Sequence, residues 1–216
     1  MHVIENILTH DEIDSLREIW RRVEGRKYVN FQHDDGRIVD HRYPLSGDPA
    51  GQALVEKIVY RNFPNATEIW SALQRQSNPH NVHIDDYMQK KLAPNQVWDT
   101  WTYIIPLETI PEFKVIIWQE RAVSNAVMAE RFSTETWTKQ SCLSETEDID
   151  HLGNFGEHNK GDCFTLDGIF SYRKGAGCLF GAKQFHTTNN WRRYSQHTHR
   201  ELLQIHLFSD SPPVLA

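Results

Sequence analysis

The sequence predicts a mainly β protein, an antiparallel sandwich or barrel preceded by helices, and two observations carry this prediction. From residue 78 onward, short runs rich in β-branched and aromatic residues alternate with turns marked by Gly, Pro, Asn and Asp. Ahead of them, apolar residues recur at helical spacing over residues 10–24. We expect one domain, 1–216, with a helical part at 1–77 and a β-core at 78–210, because no linker or repeat interrupts the chain.

The N-terminal elements follow from capping and breaking signals. Thr9 followed by Glu12 forms a capping box, which predicts the start of the helix over 10–24, and Gly25 is expected to end it. The further predictions in this part are a strand in VIENIL, a strand at YVNF, a turn at HDDGR, a helix over 49–61 and a short helix over 65–74.

The second half carries the β signals in order along the chain. The predicted strands are NVHI, TWTYIIPL, FKVIIWQ, TWTKQSC, DCFTL, GCLFGA and ELLQIHLF. One helix signal remains, SNAVMAERF at 124–132. The last strand has two distinct faces, because Arg200, Leu202, Gln204 and His206 alternate with Glu201, Leu203, Ile205 and Leu207.

Composition excludes several classes of protein. The formal net charge is −6 with His neutral, which argues against a dedicated nucleic-acid or anionic-membrane binder. The three cysteines, Cys142, Cys163 and Cys178, are widely spaced and form no CxxC, so we expect a reducing compartment and no zinc–cysteine site. The N-terminus lacks the features of a signal peptide and no stretch approaches about 18 apolar residues, so we expect a cytoplasmic protein without a membrane partner. Twelve histidines favour metal chemistry.

The stretch NPHNVHIDDY, residues 78–87, contains the first candidate metal ligands. If NVHI is a strand, His83 and Asp85 point to the same side and offer one nitrogen and one oxygen ligand. His80 would need a different backbone direction, and Asp86 points away. For this pair alone, a solvated polar loop is the alternative interpretation.

A third candidate ligand is His186, which the Gly-rich run GAGCLFGA leads to directly. Two histidines and one carboxylate form the facial triad of non-haem Fe(II) oxygenases, which leaves coordination positions open. We therefore predict that His83, Asp85 and His186 are the metal ligands and the catalytic centre.

Together these features resemble the 2-oxoglutarate/Fe(II)-dependent dioxygenases: an HxD motif near the start of a β-core, a Gly-rich strand before a distal His, and a basic residue opening the last strand. The resemblance covers roughly residues 3–24 and 80–208. It implies a double-stranded β-helix, a cupin-like jelly roll, with N-terminal helices packed on one sheet. The implied cofactors and co-substrates are Fe(II), 2-oxoglutarate and O₂.

The resemblance also implies roles for residues around the metal. Arg200 would pair with the distal carboxylate of 2-oxoglutarate, a role that suits a guanidinium because it can donate two parallel hydrogen bonds. Arg193 is the alternative, since the fourteen residues from His186 to Arg200 exceed the usual spacing. Tyr103 or Thr102 would donate to the same co-substrate. The two face opposite ways, and Tyr103 is preferred.

The implied activity is hydroxylation, or demethylation, of a C–H bond in a small-molecule or peptidyl substrate, with succinate and CO₂ as co-products. Asp85 argues against a halogenase, because halogenases of this family lack the carboxylate. Residues 26–52 and 119–160 are expected to cover the mouth of the site. The alternatives are a cupin-like metalloenzyme that does not use 2-oxoglutarate and a non-catalytic jelly-roll ligand-binding protein.

Overall fold

The structure is a computed structural model that describes residues 1–23, 29–32, 38–77, 85, 100–121, 166–189 and 199–209. Two α-helices are described, α1 at His10–Val23 and α2 at Pro49–Asn62, the latter preceded by a 3₁₀ turn at Leu45–Gly47. The described strands are β1 at His2–Ile4, β2 at Val29–Gln32, β3 at Ile38–Pro44, β4 at Thr67–Gln76, β5 at Thr100–Pro106, β6 at Ile110–Arg121, β7 at Leu166–Tyr172, β8 at Gly177–Gly181, β9 at Gln184–Thr188 and β10 at Arg200–Phe208.

These strands form two antiparallel sheets. The major sheet has the order β1-β8-β5-β10-β4-β3-β2, and the minor sheet has the order β7-β6-β9. The prediction of a mainly β protein with a jelly-roll core is confirmed, and its helices pack on one face of the major sheet. Among the helices of the described ranges, none combines the length and apolarity that a membrane crossing requires.

The capping box at the start of α1 forms as predicted. The Thr9 N–H donates to Glu12 Oε2 at 3.0 Å, and the Glu12 N–H donates to Thr9 Oγ1 at 3.2 Å. Arg61 of α2 donates to both Glu12 carboxylate oxygens, at 2.7 and 2.9 Å. The cap therefore also joins the two helices, and both helices pack their apolar faces on the major sheet.

The two faces of the major sheet bury separate apolar cores. The helix-facing core takes Leu203, Ile205 and Leu207 from β10 together with side chains of α1 and α2. The inter-sheet core contains Leu202 of β10 and Ile104 of β5, packed against β6 and β7. The alternation predicted for the last strand is confirmed, because odd and even positions of β10 enter different cores.

The predicted short helix over 65–74 is wrong, since Thr67–Gln76 is strand β4. The segment is rich in good helix formers, but it lies between β10 and β3 and pairs with both. Hydrogen bonding on both sides and burial on both faces override a weak local helix preference. The part at 1–77 is therefore not purely helical, because it also supplies β1–β4.

The other elements predicted for the N-terminal half agree with the structure where it describes them. The helices over 10–24 and 49–61 correspond to α1 and α2, and YVNF corresponds to β2. Several predictions lie outside the described residues, namely the turn at HDDGR, the strands NVHI and TWTKQSC, most of DCFTL, and the helix at 124–132.

Candidate active site

A pocket lies between the two sheets, next to the inter-sheet core. Its apolar wall consists of Ile104, Val115 and Leu202. Its polar lining residues are Arg42, Gln76, Asp85, His186, Thr188, Arg200 and Gln204. Three residues predicted from the sequence to form the site, Asp85, His186 and Arg200, therefore line one pocket.

Asp85 is held by its backbone and by its carboxylate. Its N–H donates to the Ala182 carbonyl at 2.8 Å, in the turn between β8 and β9. Its Oδ2 accepts from Thr102 Oγ1 at 2.9 Å and from Gln204 Nε2 at 3.3 Å. The side chain is buried, with 6% of the residue exposed. A buried carboxylate needs such donors, because burying a charge without compensating hydrogen bonds costs several kcal/mol.

His186 projects from β9 toward the same point. Its Nδ1 lies 3.0 Å from the Gln184 carbonyl, an acceptor, so Nδ1 carries the proton and Nε2 presents a lone pair. That Nε2 lies 3.5 Å from Asp85 Oδ2. The Phe180 ring packs against the imidazole at a centroid distance of 4.6 Å and helps to fix its plane.

The Gly-rich run explains why these two residues meet. GAGCLFGA forms β8 and the start of the following turn, and Ala182 in that turn accepts from the Asp85 N–H. The same turn leads into β9, which places His186 four residues further on. The short turn between β8 of the major sheet and β9 of the minor sheet thus positions both side chains.

The pair has the chemistry and spacing of two ligands to one first-row metal ion. Ligand atoms at about 2.0–2.2 Å from such an ion, as for zinc, lie roughly 3 Å apart when they subtend a right angle. The observed 3.5 Å is close to this separation. The Nδ1–H bond to a backbone carbonyl is the usual support for a metal-binding histidine. The described residues contain no group of three potential ligands, and His83 lies outside them.

Arg200 opens β10 and lies inside the pocket with 2% of its surface exposed. Its Nη2 donates to Gln76 Oε1, and its guanidinium lies 5.0 Å from the centroid of the Tyr172 ring. A planar guanidinium held on an aromatic face is suited to recognise a carboxylate. Arg193, the alternative clamp, lies outside the described residues, and Arg42 of β3 is a second arginine in the lining.

The structure distinguishes Thr102 from Tyr103, which the sequence analysis ranked the other way. Thr102 bonds to Asp85, whereas Tyr103 lies in the helix-facing core with its ring against Phe63 at 5.1 Å. The preference for Tyr103 is therefore corrected: neighbours on a strand point to opposite faces, and Thr102 has the site face.

His206 is a further buried imidazole on the site face of β10. Its Nδ1 lies 3.4 Å from Thr102 Oγ1, and its ring packs against Trp70. Burial lowers the pKa of His206, and the attraction of Asp85 only partly opposes this effect. Burial therefore favours the neutral form of the ring, which lies beside Thr102.

Two buried glutamines of β4, of which Gln76 lines the pocket, escaped the sequence analysis. Gln74 was assigned to the end of the helix over 65–74 and Gln76 lay beyond that helix, so their common direction could not be seen. The usable signal was the alternation SALQRQ, which has the period of a strand and places both glutamines on one face.

No protein-family model and no curated protein matches the sequence. Among solved structures, the chain is similar to SnoN, a non-haem alpha-ketoglutarate-dependent epimerase from nogalamycin biosynthesis. The identity is 11%, the TM-score is 0.57, and the alignment covers 96% of this chain and 75% of that one. SnoN has also been crystallised with Fe³⁺, alpha-ketoglutarate and nogalamycin RO.

Two further solved structures are similar to this chain over most of its length. The carbocyclase SnoK, also alpha-ketoglutarate-dependent, is 11% identical with a TM-score of 0.56, covering 96% of this chain and 78% of SnoK. HygX from Streptomyces hygroscopicus, with nickel and 2-oxoglutarate bound, is 14% identical with a TM-score of 0.54, covering 96% and 82%. At these identities, the likeness shows a shared fold: the jelly roll of these enzymes.

Proposed function

We propose that the protein is a non-haem Fe(II)- and 2-oxoglutarate-dependent oxygenase that acts on a C–H bond of a small molecule. The observation that carries this proposal is the convergence of Asp85 and His186 at 3.5 Å in a pocket that also contains a buried arginine. A ligand-binding jelly roll needs neither the paired ligands nor the support given to each. The solved structures that share the fold and are named for alpha-ketoglutarate-dependent reactions agree with the proposal.

Asp85, His186 and His83 would hold the metal. His83 belongs to this set by its sequence position two residues before Asp85, which in an extended chain gives both side chains the same direction. Arg200 would bind the distal carboxylate of 2-oxoglutarate. When bound, the iron would activate O₂, which is the oxidant, and the keto acid would supply two of the four electrons as it is converted to succinate and CO₂, with the substrate C–H bond supplying the other two.

The remaining site residues have supporting tasks. The His186 Nδ1–H bond fixes the tautomer that leaves Nε2 able to bind metal. Thr102 and Gln204 hold Asp85 in one orientation. The apolar wall of Ile104, Val115 and Leu202 excludes water from this side of the pocket, which strengthens the charge interactions there.

We propose hydroxylation or demethylation as the reaction, although proteins of this fold are also named for other reactions. SnoN and SnoK are named an epimerase and a carbocyclase. A product that gains one oxygen atom would indicate hydroxylation, one that loses a methyl group would indicate demethylation, and an isomer of the substrate would indicate epimerisation. Small molecules are favoured over peptidyl substrates because SnoN was crystallised with nogalamycin RO.

The test is an anaerobic titration of the purified protein with Fe(II) and 2-oxoglutarate, monitored for the visible charge-transfer band of the iron–keto-acid chelate. We expect a band that His186→Ala and Asp85→Ala abolish and that Arg200→Met weakens. His10→Ala is the matched control, because His10 is an exposed imidazole at the start of α1.

Two outcomes would contradict the proposal, each in a different way. Metal binding without a band on addition of 2-oxoglutarate would favour a cupin-like metalloenzyme that does not use this co-substrate. A protein that binds no Fe(II) would refute the metal site altogether and would leave Asp85 and His186 as a buried polar pair.

A further inference from the structure

Three buried glutamines connect Arg200 to Asp85 through an unbroken series of hydrogen bonds. Arg200 Nη2 donates to Gln76 Oε1, and Gln76 Nε2 donates to Gln74 Oε1 at 2.8 Å. Gln74 Nε2 donates to Gln204 Oε1, and Gln204 Nε2 donates to Asp85 Oδ2 at 3.3 Å. We call these three glutamines the amide relay. Each is buried.

The direction of the amide relay follows from its two ends. A guanidinium only donates hydrogen bonds, and a carboxylate only accepts them. Gln76 must therefore turn its oxygen to Arg200, and Gln204 must turn its NH₂ to Asp85. Gln74 between them then has one orientation that satisfies both neighbours. The chemistry of the ends thus fixes all three amides, independently of how their oxygen and nitrogen atoms are assigned.

The strand register places the amide relay on one face of the major sheet. Arg200 lies opposite Gln76, and Leu202 lies opposite Gln74, so Gln204 is the diagonal neighbour of Gln74 across β4 and β10. Diagonal neighbours are within reach of long side chains. A glutamine is long enough to bridge them.

We propose that the amide relay couples the two ends of the site, so that Gln74, which touches neither Asp85 nor Arg200, is a positioning residue for both. This inference rests on the proposed function. Breaking the relay at Gln74 leaves Gln204 without the donor that orients its NH₂ toward Asp85. It also leaves Gln76 without the acceptor that orients its oxygen toward Arg200. Affinity for metal and affinity for 2-oxoglutarate should fall together.

The test uses Gln74→Met, which removes the amide and nearly conserves the side-chain volume. The readouts are Mn(II) affinity by titration calorimetry and 2-oxoglutarate affinity of the Mn(II)-loaded protein. We expect each to weaken about two- to tenfold, the effect of one neutral hydrogen bond. Leu73→Met is the matched control, because Leu73 is the buried neighbour that faces the helices. It should leave both affinities unchanged.

A double variant separates coupling from a general loss of structure. Gln204→Met should weaken Mn(II) binding about 10- to 100-fold, as for other partners of metal ligands. In that background Gln74→Met should cause no further loss of Mn(II) affinity but should still weaken 2-oxoglutarate binding through Gln76. If Gln74→Met does not fold, Gln74→Asn carries the same test, because its amide is one methylene too short to reach both partners.

The outcomes are distinguishable. Wild-type affinities in Gln74→Met, or equal losses in Leu73→Met, would overturn the amide relay and leave the proposed function intact. Additive losses of Mn(II) affinity in the double variant would also overturn it. A wild-type protein that binds neither Mn(II) nor Fe(II) would overturn the proposed function, and the role of the amide relay with it.

Discussion

Thr102 and Tyr103 are adjacent on β5 and provide a matched pair of substitutions, because each can lose a hydroxyl while only Thr102 bonds to a residue that lines the pocket. Thr102→Val removes the 2.9 Å hydrogen bond to Asp85 and keeps the side-chain shape. Tyr103→Phe removes a hydroxyl that is buried in the helix-facing core and has no hydrogen-bond partner among the described residues. Burial raises the pKa of this hydroxyl, so it stays neutral at every pH of interest.

The expected effects differ in size and in kind. A buried hydrogen bond to a charged group contributes about 1.5–3 kcal/mol, which corresponds to a roughly ten- to hundredfold change in binding if all of it is expressed there. We expect Thr102→Val to weaken Mn(II) binding by that factor. Tyr103→Phe should leave Mn(II) and 2-oxoglutarate affinities unchanged. It should also change the free energy of unfolding by no more than about 1 kcal/mol, because it removes a polar group that gains little in the core.

The assays are calorimetric titration with Mn(II), then with 2-oxoglutarate, and urea denaturation of each variant. Denaturation shows whether a lost affinity reflects a lost fold. The reasoning would be refuted if Tyr103→Phe weakened 2-oxoglutarate binding tenfold at unchanged stability while Thr102→Val did nothing. That result would place Tyr103 in the site and restore the original ranking of the two residues.

Three further predictions concern the clamp, the helix pair and the core. Arg200→Lys keeps the charge but loses the planar fork, so 2-oxoglutarate affinity should fall about tenfold or more at similar Mn(II) affinity, as calorimetry would show. The hydrogen bonds from Arg61 lower the pKa of Glu12 to about 2. The Glu12 carboxylate therefore stabilises the fold fully above pH 4.5 and loses this contribution as the pH falls toward 2. Glu12→Gln should lower the free energy of unfolding, measured by urea denaturation, by about 2–3 kcal/mol at pH 7 and by much less at pH 3. Gly177→Ala would place a Cβ against the hydroxyl and ring of Tyr103, and this overpacking should cost about 1–3 kcal/mol, partly relieved in the double variant with Tyr103→Phe.

Local sequence signals were sufficient to predict α1 near the start of the chain and β10 near its end. The capping box needs only Thr9 and Glu12, which are close in sequence, and it forms as predicted. The two faces of β10 also follow from alternation alone. Alternation placed Arg200 on the face opposite Leu203, Ile205 and Leu207, whereas its expected place in the site came from the family resemblance.

β4 could not be predicted in this way, because its state depends on partners far away in the chain. Residues 65–74 have fair helix propensity, and what makes them a strand is pairing with β10, more than 120 residues later, and with β3. The error carried over to the site. Once Gln74 was placed at the end of a helix that excluded Gln76, nothing in the sequence indicated that the two glutamines face Arg200 and Gln204.

The choice of glutamine for the amide relay follows from the position of the site between two apolar layers. A charged side chain at Gln74 would add an ion to a region where even a paired charge is costly to bury. A hydroxyl is too short to reach across two strands, which lie about 4.8 Å apart, and asparagine is shorter than the diagonal distance requires. An amide is neutral, and it can donate at one end while it accepts at the other. A donor-only arginine and an acceptor-only aspartate on one sheet face can be joined by three amides so that every hydrogen bond of the series pairs a donor with an acceptor, and this requirement selects the residue type.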